Sequence, residues 1–159
     1  MSHVGLTRPA AAQKLSNGTA LIPSALAFSF DRDGRSEKEI ADMVRASKGL
    51  AKFLPRRMYE NFVLHPQAIA NLLSNTLEQT ISEAQILNWL NSHRPQWQHP
   101  NVDAAKLLAD LFTDVSDAKL EFRKTEHSVA LTQFILKNAP DHFSEFFAYL
   151  RELMNFNPA

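Results

Sequence analysis

The chain contains no cysteine, which excludes disulfide bonds, thiolate catalysis and zinc or iron–sulfur sites built from cysteine. The 17 lysines and arginines equal the 17 aspartates and glutamates, so the formal net charge at pH 7 is zero. The overall charge therefore favours neither nucleic acid nor acidic substrates as partners. Only four glycines occur in 159 residues, and none of them forms a glycine-rich phosphate loop.

Long apolar runs are missing too. No stretch approaches the roughly 20 consecutive apolar residues of a transmembrane helix, so we expect no membrane span. The most apolar stretch near the N-terminus, residues 20–30, is interrupted by Pro23, Ser24 and Ser29. It also lacks the preceding basic cluster of a secretory signal. Because cysteine is absent as well, we predict a soluble, cytoplasmic protein.

Length and composition are those of one ordinary globular domain. Apolar residues make up 45% of the chain and charged residues 21%, both near the average for folded proteins. Runs of alternating Val, Ile and Thr are absent, so we expect no strand. No internal repeat is visible. We therefore predict an all-α fold, a compact bundle of about six or seven short helices preceded by an irregular N-terminal arm.

Residues 1–35 differ from the rest of the chain. They hold three of the four glycines, and no acidic residue occurs from Met1 to Phe30. We predict that this segment is an irregular arm and that residues 36–159 form the helical domain. A targeting or export signal is the alternative, because some such segments are acid-poor. If the arm is ordered, its apolar side chains would lie on the body: Leu21, Ile22, Leu26, Phe28 and Phe30.

Several helix boundaries can be predicted from capping patterns. Ser36 and Glu39 have the spacing of a capping box, and Pro55 would end the helix that starts there. Gly49 is an alternative break in that helix. Further starts are indicated at Pro66, at Thr80 or Ser82, at Asn101 or Asp103, at Ser116 or Asp117, at Thr125 and at Pro140.

A basic cluster follows the first predicted helix start. No acid occurs between Asp42 and Glu60. On one continuous helix, at about 100° per residue, the basic residues Arg45, Lys48 and Lys52 would lie within a narrow arc. This arc would be on the side of the helix opposite its apolar face. Such a stripe attracts phosphates or acidic proteins. The alternative is an ordinary solvent-exposed face whose positive charge is neutralised by nearby acidic side chains. The candidate binding residues are Arg45, Lys48, Lys52, Arg56 and Arg57.

Aromatic residues near the C-terminus suggest a second surface. The last predicted helix is apolar around more than half of its circumference, more than a surface helix needs. It either lies in the core or contacts another chain. Trp97, in the loop between Pro95 and Pro100, either anchors a partner or folds back onto the core. The candidate apolar partner surface consists of Trp97, Phe143, Phe147, Tyr149 and Phe156.

Catalytic and metal-binding motifs are missing. The sequence has neither GxSxG nor HExxH, and His93 and His99 share a loop without further ligands. His65 and His142 would be the first residues to inspect for a motif-free active site. A helix-turn-helix over residues 82–111 lacks a basic recognition helix.

Taken together, these features indicate binding rather than catalysis. We expect no enzymatic activity, cofactor or metal. We predict a helical module that binds a protein partner or a second copy of itself, as an adaptor, a regulator or a secretion-associated accessory protein. Binding of nucleic acid through the basic cluster is the alternative.

Overall fold

The computed structural model describes residues 27–154. In this range the chain forms seven α-helices, a 3-10 turn and two short strands, so the predicted all-α fold is confirmed apart from a minimal sheet. The elements are β1 (Phe28–Phe30), α1 (Glu37–Ala46), β2 (Ala51–Phe53), α2 (Glu60–Val63), α3 (Pro66–Leu77), α4 (Glu83–His93), α5 (Ala104–Val115), α6 (Lys124–Asn138), the 3-10 turn Pro140–Phe143 and α7 (Ser144–Met154).

The helix starts follow local capping chemistry. The Ser36 hydroxyl accepts the amide of Glu39, and the Glu39 carboxylate accepts the amide of Ser36. This confirms the predicted capping box at the start of α1. Of the two predicted starts for α4, Ser82 is the cap and forms a second box with Gln85. Pro66 occupies the first turn of α3 and Asp103 caps α5, as predicted.

The expectation of no strand was wrong. β1 and β2 pair in parallel, with Phe28 opposite Ala51 and Phe30 opposite Phe53, and α1 connects them. Each strand has only three residues, too few to show an alternating pattern, and their pairing depends on contacts distant in sequence. Part of the predicted arm, residues 28–30, is therefore bound to the body. The earlier residues of that arm, including Leu21, Ile22 and Leu26, lie outside the described residues.

A continuous helix from Ser36 to Pro55 was also wrong, and the alternative break at Gly49 is confirmed. The amide of Gly49 donates to the Val44 carbonyl and that of Lys48 to the Arg45 carbonyl, the two bonds of a Schellman motif. Lys48 has φ 53° and Gly49 φ 82°. Glycine adopts such a conformation without steric cost. The chain therefore leaves α1 and turns into β2.

The predicted start at Ser116 or Asp117 was wrong as well. Asp117 and Ala118 have positive φ angles of 51° and 60°, so they turn the chain, and α6 begins at Lys124.

The core lies among the five helices α2 to α6. α3 packs against α4 and α6, and α2 packs against α5 and α6. None of the helices in residues 27–154 combines the length and the apolarity that crossing a bilayer requires. The largest fully buried side chains are Phe62, Val63, Ile69, Leu73, Ile86, Leu90, Leu108, Leu111, Phe112, Leu131, Ile135 and Phe143.

Candidate functional site

The last helix, α7, is apolar on one side, yet it buries none of its residues. Phe146 packs against Tyr59 and Phe62, with ring centroids 5.5 and 5.0 Å apart, and holds the helix to the body. The other large apolar side chains are half-buried, except that of Met154, which is 83% exposed. α7 is therefore a surface helix whose apolar side is incompletely covered. We call this surface the α7 face: Phe147, Tyr149, Leu150, Leu153 and Met154.

The α7 face adjoins the small sheet. The hydroxyls of Ser29 in β1 and Tyr149 in α7 lie 2.6 Å apart and share a hydrogen bond. Phe28 and Phe30 are 37% and 39% exposed. They point to the opposite side of the strand from Ser29, because successive side chains alternate. β1 thus borders the α7 face with a polar contact.

Two residues of the predicted apolar partner surface are interior residues. Trp97 is only 7% exposed, and its indole N–H donates to Asn91 Oδ1 at 3.0 Å. This hydrogen bond satisfies the polar atom that would otherwise keep the ring at the surface. Phe143 is 1% exposed. Phe156 lies outside the described residues. Of the predicted apolar partner surface, Phe147 and Tyr149 therefore remain as half-buried residues at the surface.

The predicted basic stripe does not form, because its residues lie on three different elements. Arg45 lies in the last turn of α1, where it pairs with Asp42 at 3.3 Å. Lys48 lies in the following turn, and Lys52 lies in β2. The arc that they would share on a single helix is therefore absent.

Arg56 and Arg57 hold parts of the fold together. Arg56 Nε donates to Glu145 in α7 at 2.6 Å, and its Nη1 donates to the Asn61 carbonyl at 3.0 Å. Arg57 pairs with Asp103, the cap of α5, at 2.9 Å. These ion pairs engage two of the five predicted phosphate-binding residues and link the loop before α2 to α5 and α7.

His65 and His142 lie together beside this loop. Their rings meet edge to face with centroids 4.8 Å apart, in a cleft of about 400 Å³ that Arg56 also lines. His65 Nδ1 accepts the amide of Ala68. His142 Nε2 is buried and has no hydrogen-bond partner among residues 27–154. The two histidines that the sequence indicated as candidates for a motif-free active site are therefore in contact in the folded chain.

The environment of this pair disfavours protonation. Burial lowers the pKa of His65, and burial together with the charges of His65 and Arg56 lowers the pKa of His142. Neutral imidazoles can bind metals, but residues 27–154 contain no group of three or more His, Asp or Glu side chains arranged to hold one.

The histidines predict how stability depends on pH. Burial also lowers the pKa of His127 below its ordinary value of 6.5. Between the folded and unfolded pKa values the unfolded chain binds more protons, so acid favours unfolding. We expect the melting temperature to be highest above about pH 6.5 and to fall toward pH 5.5. A thermal melt series measures this, and His127→Gln should flatten the slope. A melting temperature that rises in acid would contradict the prediction.

No protein-family model matches the chain, and comparisons with curated proteins and with solved structures found no match. The function must therefore be inferred from the geometry of the molecule itself.

Proposed function

We propose that the protein is a helical interaction module and that the α7 face is its binding surface. The supporting observation is that α7 buries none of its 11 residues, although apolar side chains occupy an arc of about 160°, at about 100° per residue. Burial of apolar surface drives most protein association. A helix that is firmly attached but incompletely covered provides such surface.

The occupant that we propose is a second copy of the chain. The formal net charge is zero, so two copies do not repel each other over long distances. The charged residues of α7, which are Glu145, Arg151 and Glu152, are exposed and lie away from the middle of the apolar arc. Across a two-fold axis the α7 face of one copy meets the same residues of the other copy, so its apolar side chains pack against their own counterparts. A two-fold interface requires this kind of self-complementarity.

We expect the native protein to be a dimer whose mass in light scattering changes little with salt. Met154→Glu places a charge on the α7 face and should weaken dimerisation at least about tenfold, since unpaired charges are costly to bury. Leu136→Glu is the matched control, because Leu136 is a 45% exposed apolar residue of α6. Circular dichroism should show that both variants are folded.

Two results would count against this proposal. One is a monomer at about 200 μM, which would place any dissociation constant above the range of specific dimers. The other is an equal effect of Met154→Glu and Leu136→Glu. If the protein is a monomer that binds a different protein through α7, the α7 face is still the binding surface, but the partner is not a second copy of the chain.

The alternative function, phosphate binding through the basic cluster, has less support. Arg45, Arg56 and Arg57 are paired with carboxylates. The stripe on which that function depended requires a continuous helix, and α1 ends at Ala46.

A further inference from the structure

A second cleft, separate from the α7 face, lies between the start of α2 and one side of α6. Its volume is about 390 Å³. Glu60 lines it and is only 6% exposed. Among residues 27–154 its carboxylate has one partner, the Lys124 ammonium at 3.6 Å, and the Lys124 side chain is itself 58% exposed. Buried carboxylates normally accept several hydrogen bonds. Glu60 therefore has unused capacity to accept hydrogen bonds in this cleft.

A hydroxyl on α6 is unsatisfied beside it. Ser128 lines the same cleft, is 6% exposed and follows Lys124 by one helical turn. Its Oγ is buried and has no hydrogen-bond partner in the described part of the chain. A buried hydroxyl without a partner costs free energy. Two polar groups in one cleft thus lack the partners that a bound molecule could supply.

A second acid lies close to Glu60, outside the residues that line the cleft. Asp31 lies near Glu60, and burial together with the charges of Asp33 and Glu60 raises the pKa of Asp31. Lys124 interacts with both the Asp31 and Glu60 carboxylates. Two acids therefore share one ammonium group, which favours the entry of another cation.

The remaining walls of the cleft are largely apolar. The Tyr59 hydroxyl is hydrogen-bonded to Thr132 at 2.7 Å, so Tyr59 presents its ring to the cleft rather than a free donor. Val129 is 53% exposed at the opening. These surfaces suit a chain of methylene groups rather than a hydrated ion.

We propose that this cleft binds a primary alkylammonium group, with Glu60 as the counter-ion, Ser128 Oγ as an acceptor and the apolar walls around the methylenes. Glu60 Oε1 faces Lys124, so one carboxylate oxygen remains. A single oxygen suits a compact ammonium better than a guanidinium, which prefers to bind both oxygens. A lysine side chain of a protein or a free amine supplies the same chemistry.

Three small molecules test the site by calorimetry and amide NMR. Nα-acetyl-lysine methylamide represents a protein side chain and 1,5-diaminopentane a free amine. Nα-acetyl-norleucine methylamide has the same aliphatic stem without the charge. We expect a charged probe to bind with a dissociation constant on the order of 1 mM and the norleucine analogue to bind at least about tenfold more weakly. The tighter of the two charged probes identifies the source of the amine.

Variants locate the binding. Glu60→Gln should weaken it about tenfold and Ser128→Ala about threefold. Glu126→Gln removes the same charge from an α6 side chain that is 64% exposed and should leave binding unchanged. The proposal is overturned if the norleucine analogue binds as well as the charged probes, if no charged probe binds at about 10 mM, or if Glu60→Gln binds like the parent. If Glu60→Gln does not fold, the proposal is still tested by comparing the dissociation constants of the lysine and norleucine derivatives on the unaltered protein.

Discussion

We expect Phe143→Ala to lower the free energy of unfolding by about 3–5 kcal/mol, the range for removing a fully buried phenylalanine. Phe143 is 1% exposed and lies in the 3-10 turn that packs against both α6 and α7. Its ring contacts Phe146 and Phe147, with centroid distances of 6.1 and 6.0 Å. A cavity at this position weakens the attachment of α7, which Phe146 also holds to the body. Urea unfolding measures the loss.

Hydrogen exchange shows where this loss falls. In Phe143→Ala the amides of α7 should exchange before those of α3 and α5, because helices with few buried contacts open locally at low cost. Phe147→Ala is the matched control. Phe147 is only half-buried, so a loss of about 1–2 kcal/mol is expected. Equal losses for the two variants would show that Phe143 does not anchor α7.

The second large effect is expected for Asn61→Ala. Asn61 is 3% exposed, its Oδ1 accepts the amide of Met58, and its Nδ2 donates to the carbonyl of Val102, each at 3.1 Å. Alanine leaves both backbone groups buried without these partners. Each orphaned group costs about 1–3 kcal/mol, so the free energy of unfolding should fall by about 2–6 kcal/mol.

A surface asparagine provides the comparison. Asn71→Ala removes an exposed hydrogen bond to Asn75 and should change stability by less than about 0.5 kcal/mol. Amide NMR should show that Asn61→Ala shifts the signals of the loop before α5, which contains Val102. If both variants lose the same small amount, the Asn61 bonds do not hold this loop.

The helices were predictable because their signals are local. A capping box needs four consecutive residues, so Ser36 and Ser82 mark helix starts without knowledge of the rest of the chain. The strands were not predictable in this way, since Phe28 and Ala51 become neighbours only when α1 returns the chain. The end of α1 was predicted wrongly for another reason. Lys48 occupies the left-handed position of a Schellman motif that usually holds glycine.

The site was predictable only in part. The excess of apolar residues on the last helix is visible in the sequence, but the accessibility of each residue is not. Trp97 is buried because Asn91, on another element, accepts its indole N–H. Glu60 gave no signal in the sequence. Its burial depends on the packing of α2 against α6, and an acid near the first turn of a helix is expected there for the helix dipole alone.

The contact between Ser29 and Tyr149 affects how the protein can be immobilised. These residues are 120 positions apart in sequence and share a hydrogen bond, so β1 and α7 lie side by side. A bulky group coupled to either of these two elements would crowd the α7 face. Since the chain has no cysteine, Lys119→Cys in the exposed turn between α5 and α6 gives a unique thiol for coupling. Coupling through this thiol uses no residue of β1 or of the α7 face.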